Sequence, residues 1–479
     1  MRDYRHRCWE QILSRAVAAA LAIERGDTAD WPDADAAVRE ALDNAAVFQN
    51  AGGDFRFFAD REGAMYDGAR AQIALTAWTV RAFGALRRLG HPVDADIDQR
   101  ARDFLAGRAR TPLPTHADTV AANERAFAVG TFHDTPADLL ADTFARWEQL
   151  AMPARIALAT GLRHANHPSA DEALARLLQQ APAQGPVRTL RAAGDATRWM
   201  GSPLREQCAL IDLLHGDATH AGARRALIAG LGDLYAGGTP SVDTQSGAMC
   251  LLALRDAARA GSGTVSAALQ PGTSGERVLT VAPGDVQVEH QQALPTDGRL
   301  AIANRSSGDA PAGYIAEIAF DEDARQARAS AVGFSIERTY AVLRDGAWAP
   351  IDGAQVREGD WLRVTLTVRT GATRWFVAVT DAVPGGLRPT DLALSAIAGL
   401  DLQQVSDEGS GWFATRRLDP RAPRFYAERL PAGTHALHYF LRAGNGGDYL
   451  AAPATAELMY GGASNARTAA QRVVVDAGP

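Results

Sequence analysis

The chain changes texture once, near Ala260-Gly261-Ser262-Gly263, and that change limits the folds open to it. Before it, apolar residues recur at helical spacing: Ile12, Val17, Ala20 and Leu21 mark one face, Ala37, Val38, Leu42 and Val47 the next. The run from Ala71 to Leu89 stops at Gly90 with Pro92 just beyond, a strong helix terminator. Further helices are expected at about 94–105, 136–147, 150–163, 169–180, 203–215, 220–234 and 242–260. About a dozen helices on short links point to helical pairs closed into a toroid rather than to a bundle. After the change the pattern alternates, as strands do. Arg277 to Val281, Val286 to Glu289, Leu300 to Asn304 and Gly313 to Ala319 come first, too few for a complete sandwich. Phe334 to Val342, Trp361 to Arg369, Arg374 to Asp381, His435 to Arg442 and Arg472 to Val475 follow, broken at Pro384-Gly385-Gly386 and Pro431-Ala432-Gly433. The expectation is an all-α toroid (α/α barrel) over residues 1–262, an incomplete all-β sandwich-type domain over 263–333 and a full one over 334–479.

A chain of 479 residues with 47% hydrophobic and 22% charged residues reads as globular, with more than one core. Its net charge of -7 without a basic stripe argues against a nucleic-acid partner. No apolar run reaches the roughly 18 to 20 residues of a membrane span. MRDYRHR has no apolar core segment, so no signal peptide is expected in this chain. Cys8, Cys208 and Cys250 are an odd set, which argues against a disulfide framework and leaves at least one thiol unexplained by pairing, and Cys208 and Cys250, in apolar helical runs, are expected to be structural. Every basic residue is arginine. With no lysine, no side-chain amine is present to quench an acylating group.

Such a group is suggested by Cys8-Trp9-Glu10-Gln11, at the opening of the first helical run. A side chain three residues on lies within one turn of the cysteine. Thiolate attack on the Gln11 amide would expel ammonia and leave an internal thioester, a stored acylating agent that lasts while water is excluded. By chance, Glu at +2 and Gln at +3 after one of three cysteines has odds on the order of one in a hundred. Trp-Glu-Gln recurs at Trp147-Glu148-Gln149 without a cysteine before it, and is read as coincidence. A Cys8–His6 nucleophilic pair is the competing enzyme reading, though no third residue orients it. His164 and His167 beside Asp171 and Glu172 lack the spacing of a known metal motif.

Tyr4-Arg5-His6-Arg7-Cys8-Trp9-Glu10-Gln11-Ile12-Leu13-Ser14-Arg15 resembles the thioester stretch of bacterial alpha-2-macroglobulins, usually Y-P-Y-G-C-L-E-Q-T-x-S-R. Thr244-Gln245-Ser246-Gly247-Ala248-Met249-Cys250 is similar to the last helix of that family's thioester domain. Phe425-Tyr426-Ala427-Glu428-Arg429-Leu430-Pro431-Ala432-Gly433, then Phe440-Leu441-Arg442-Ala443, then Glu457-Leu458-Met459-Tyr460 resembles its last macroglobulin domain, in order. The resemblance implies a thioester domain, the C-terminal half of a CUB-like domain and a C-terminal macroglobulin domain. It implies a thioester between Cys8 and Gln11, shielded by Tyr4, Met459 and Tyr460, with His116 or His133 as candidates for acyl transfer. Arg5, His6, Arg7 and Trp9 depart from the pattern, adding cations beside the bond. The implied function is a single-turnover protease inhibitor of the periplasm or cell envelope, which captures target proteases through their lysine amines. It has no catalytic residue, no metal and no cofactor beyond the internal thioester, and its bait and upstream macroglobulin domains are not in this chain. A non-covalent structural or interaction module of the envelope, without a thioester, is the alternative.

Overall fold

The computed structural model describes the chain except residues 1–6, 27–28, 30, 60–71, 114–117, 133, 186, 191–195, 237–242, 256–263, 272–274, 283–287, 289, 294–298, 307–322, 352–354, 391–410, 414, 461–463 and 478–479. The chain divides into two compact units. Met1–Phe57, Ile73–Ala196 and Gly201–Phe320 form one; Phe58–Gln72, Thr197–Met200 and Asp321–Pro479 form the other.

The first unit is mainly helical. Its order is α1 (Trp9–Arg25), α2 (Ala34–Phe48), α3 (Gln72–Arg88), α4 (Ala95–Arg110), α5 (Thr119–Gly130), α6 (Ala137–Phe144), α7 (Met152–His164), α8 (Ala170–Gln179), α9 (Pro203–Leu213), α10 (Ala221–Ala229), α11 (Leu231–Ala236) and α12 (Thr244–Leu254). Capping chemistry sets several starts: Asp94, Asp118, Ser202 and Asp243 each accept backbone N–H bonds from the first turn of the helix that follows. Gly90, at φ 88°, closes α3 as expected, while the His91 N–H reaches back to Leu86 O at 3.0 Å. The stretch expected as one helix at 220–234 is two. At the break, a Cβ on Gly230 would lie 2.1 Å from Arg188 O, so the glycine admits the short hairpin β1 (Ala183–Gln184) and β2 (Val187–Arg188) against the helix. Helix α5 was not expected. Ala122 to Val129 are all buried, so no polar face marks the period. The described part of this unit ends in an antiparallel sheet, β3 (Val265–Pro271) between β4 (Arg277–Val281) and β5 (Leu300–Asn304), the last two as expected. Of the other two strands expected there, 313–319 and all of 286–289 except Val288 lie outside the described residues.

The second unit holds β6 (Ser330–Val332), β7 (Phe334–Arg344), β8 (Ala347–Pro350), β9 (Val356–Arg357), β10 (Trp361–Thr370), β11 (Arg374–Thr380), β12 (Leu387–Thr390), β13 (Thr415–Arg417), β14 (Arg424–Leu430), β15 (Gly433–Ala443), β16 (Gly447–Ala451), β17 (Thr455–Leu458), β18 (Asn465–Arg467) and β19 (Gln471–Asp476). One sheet runs β12-β15-β10-β7-β8, a second β13-β14-β11-β17-β18-β6, and a third β16-β19-β9. Alternate residues of β10 (Leu362, Val364, Leu366, Val368) and of β15 (Leu437, Tyr439, Leu441) share one core with Val377, Val379, Phe425, Ala427 and Leu430 of the second sheet. Inside this unit Arg338 is ion-paired with Asp381, both side chains fully buried. Tyr439 donates to the same carboxylate at 2.8 Å, and Arg338 also donates to the carbonyls of Ala451 and Ala452. A buried pair persists only with its polar atoms satisfied in this way. No described helix is long and apolar enough to cross a membrane.

Candidate functional site

The first turn of α1 brings Cys8 and Gln11 together. Cys8 is the N-cap, with extended backbone (ψ 171°), and closes a capping box with Gln11. Its N–H donates to Gln11 Oε1 at 2.9 Å. A helix start thus imposes the residue spacing that an internal thioester needs. Both residues are 0% exposed. Cys8 lies outside the disulfide of this chain, and Gln11 Nε2 is buried without a hydrogen-bond partner among the described residues. A buried unsatisfied donor costs about 1–3 kcal/mol. Expelling that nitrogen as ammonia would remove the penalty.

The residues between them hold the turn in place. Trp9 donates through its backbone N–H to Phe57 O at 2.8 Å and through Nε1 to Thr79 Oγ1 at 2.9 Å. Its indole stacks on Phe48 and Phe55 and meets Phe83 edge-on. Glu10 is fully buried. Its carboxylate accepts from Ser14 Oγ at 2.6 Å and from Thr244 Oγ1 at 3.1 and 3.0 Å, which joins the first helix to the last.

Beyond Thr244 lies a buried charged cluster. Asp243 accepts from Ser246 N and Oγ at 2.8 and 2.6 Å, and the Ser246 hydroxyl lies 2.8 Å from that of Ser202. Burial pushes Asp243 upward, against the Ser246 bonds and the Arg205 charge. Burial pushes Glu206 up to about 8, only partly opposed by Arg205, whose Nη1 is 3.8 Å from Oε1. Arg205 is pulled down by the same burial and held up by Glu206, Asp243 and Glu10. Glu206 Oε1 and both side-chain polar atoms of Gln245 make no hydrogen bond among the described residues.

One turn further along, α12 is tied to α9 by a disulfide. Cys208 and Cys250 are bonded across 42 residues with Cα atoms 4.9 Å apart, so the expectation that the odd count argues against disulfides is corrected. The odd count hid a pair plus one. The two helices meet only through tertiary packing, which the spacing of the cysteines does not reveal.

Tyr4, His6, His116 and His133 lie outside the described residues. Met459 and Tyr460, 4% and 1% exposed, sit at the end of β17 in the second unit. His167 Nδ1 accepts the Ser169 N–H at 3.1 Å in the turn before α8. Among the described residues no three His, Cys, Asp or Glu side chains group as metal ligands.

A comparison with curated proteins finds no match. Residues 333–462 match the Bacterial Alpha-2-macroglobulin MG10 domain. The chain carries a bacterial alpha-2-macroglobulin domain. Nearly all of it has the fold of solved alpha-2-macroglobulins. The Salmonella protein reacted with methylamine is 18% identical at TM-score 0.70, over 98% of this chain and 30% of that one. The native E. coli protein is 19% identical at TM-score 0.69, over 99% and 30%. A native E. coli structure from domain MG7 to the C-terminus is 18% identical at TM-score 0.70, over 99% and 74%. At these identities the likeness is one of fold. The resemblance of this sequence to the C-terminal portion of the bacterial alpha-2-macroglobulins is borne out, and the chain spans 30% of the length of the first two relatives.

Proposed function

We propose that this chain is the thioester-bearing portion of an alpha-2-macroglobulin-like protease inhibitor. Its helices form a toroid, closed where Glu10 on α1 meets Thr244 on α12. The three-stranded sheet is the C-terminal half of a CUB-like domain, and the second unit contains a macroglobulin sandwich. Cys8 and Gln11 condense, thiol and amide giving thioester and ammonia. A lysine amine of a target protease later attacks the thioester carbonyl, which forms an amide at Gln11 and returns the thiol to Cys8. Each molecule reacts once, so it is an inhibitor and not an enzyme. Tyr4, Met459 and Tyr460 exclude water from the bond until then, and upstream macroglobulin domains with a bait supply the trigger. The buried Cys208–Cys250 disulfide suits an oxidising compartment such as the periplasm or cell envelope. With no lysine, the chain has no side-chain amine of its own to quench the stored electrophile.

One observation carries this reading: Cys8 and Gln11 share a fully buried capping box in which the nitrogen to be expelled has no partner among the described residues. Methylamine should therefore be incorporated at position 11 of the full chain, as seen by peptide mass, and not in Cys8→Ala. Equal labelling of both chains, or of neither, would reject the thioester.

A further inference from the structure

Among the described residues, Asn166, Met200, Asp345 and Phe376 are the non-glycine positions with left-handed backbone. Asn and Asp tolerate that region because their short polar side chains bond locally. A phenylalanine inside a strand does not, yet Phe376 holds φ 55° in β11. Glycine would adopt this backbone without strain. The ring is therefore what the position retains, and its surroundings show what the ring does.

The ladder between β11 and β14 pairs Trp375 with Arg429 and Val377 with Ala427, and passes over Phe376 and Glu428. On the other edge β11 pairs with β17 up to Val377 and Leu458. There the Phe376 carbonyl accepts the Met459 N–H at 2.8 Å. The Phe376 ring meets the Tyr460 ring edge to face, with centroids 5.1 Å apart and planes at 89°. Phe376, Met459 and Tyr460 are 2%, 4% and 1% exposed. None of them belongs to the core shared by the two large sheets, although Val377, the next residue, does. A strained backbone, a main-chain bond and a ring contact thus converge on the Met459–Tyr460 pair. Strain of this kind survives where the surrounding contacts over-determine it, and it gathers at functional positions.

We propose that Phe376 is a positioning residue for Met459 and Tyr460, its carbonyl fixing the main chain at Met459 and its ring fixing the tyrosine. This deepens the shielding role proposed above and rests on it. Held in this way, the pair acts as a preset cover rather than two mobile side chains.

The test uses the full chain with Phe376→Ala, the milder Phe376→Leu, Tyr460→Ala and the Phe376→Ala/Tyr460→Ala double variant. Three quantities are followed: spontaneous appearance of the Cys8 thiol, hydrogen exchange at the Met459 amide, and Tm. Phe376→Ala should speed thiol appearance about tenfold, with Phe376→Leu between it and the parent. The double variant should release no faster than Tyr460→Ala, because both changes remove one contact. A purely structural role would lower Tm while leaving the release rate at the parent value, and that result would overturn the inference without touching the thioester. If the parent thiol titrates at once, the thioester reading fails instead, and hydrogen exchange decides the role of Phe376. Faster Met459 exchange in Phe376→Ala than in Phe376→Leu, and in both than in the parent, would sustain it; equal exchange in all three would end it.

Discussion

Trp9-Glu10-Gln11 and Trp147-Glu148-Gln149 are the same three residues in two environments. The first opens a 17-residue helix; the second is a single 3-10 turn. Both tryptophans are buried, Trp9 at 0% and Trp147 at 3% exposure. The glutamates divide them. Glu10 is fully buried and takes hydroxyl bonds from two helices, whereas the Glu148 side chain is 80% exposed and faces Arg155 and Arg176 at 3.4 Å. Identity of the tripeptide therefore carries little information. A cysteine at the N-cap and a sealed carboxylate make the first copy a candidate for chemistry.

The largest predicted effect breaks this comparison at its acidic residues. Glu10→Ala strands the Ser14 and Thr244 hydroxyls in the interior, and should cost about 2–4 kcal/mol in chemical denaturation and reduce methylamine incorporation. Glu148→Ala removes only exposed ion pairs, and should stay within about 0.5 kcal/mol of the parent. Similar losses from both would show that burial does not separate the two copies.

A second effect, smaller over any single pH unit, appears when pH is varied. The native state keeps a proton on Glu206 that the unfolded chain has lost between the ordinary value of 4.5 and about 8. The stability this group contributes is full below 4.5, declines as pH rises through that window by up to ~1.4 kcal/mol per pH unit, and is lost above it. Glu206→Gln should flatten the decline, so its Tm gains on the parent as pH rises from 5 to about 8. Parallel Tm profiles would contradict the assignment.

Much of the fold was legible because periodicity reports burial. β10 alternates buried and half-buried residues almost without exception, and its expected range ends one residue short of the observed Thr370. Helix α5 was illegible for the converse reason, being buried on every side. Gly230 looked like an ordinary helix residue because the carbonyl it admits, Arg188 O, comes from elsewhere in the chain. At the site, the three-residue spacing of Cys8 and Gln11 was legible since one helical turn encodes it. Thr244 and the Cys208–Cys250 pair were not, because both depend on α12 packing between α1 and α9. Neither was Phe376, for no propensity marks a phenylalanine that must take a left-handed backbone.

Whether the buried Cys8–Gln11 turn stores a thioester is decided by counting thiols in the native, unreduced chain before and after methylamine, in parallel with Cys8→Ala. With Cys208 and Cys250 bonded to each other, a stored thioester leaves no titratable thiol at first and one after methylamine, with none at either stage in the alanine variant. A Cys8 thiol that remains masked after methylamine in the native fold, or one that titrates fully before methylamine is added, would contradict it.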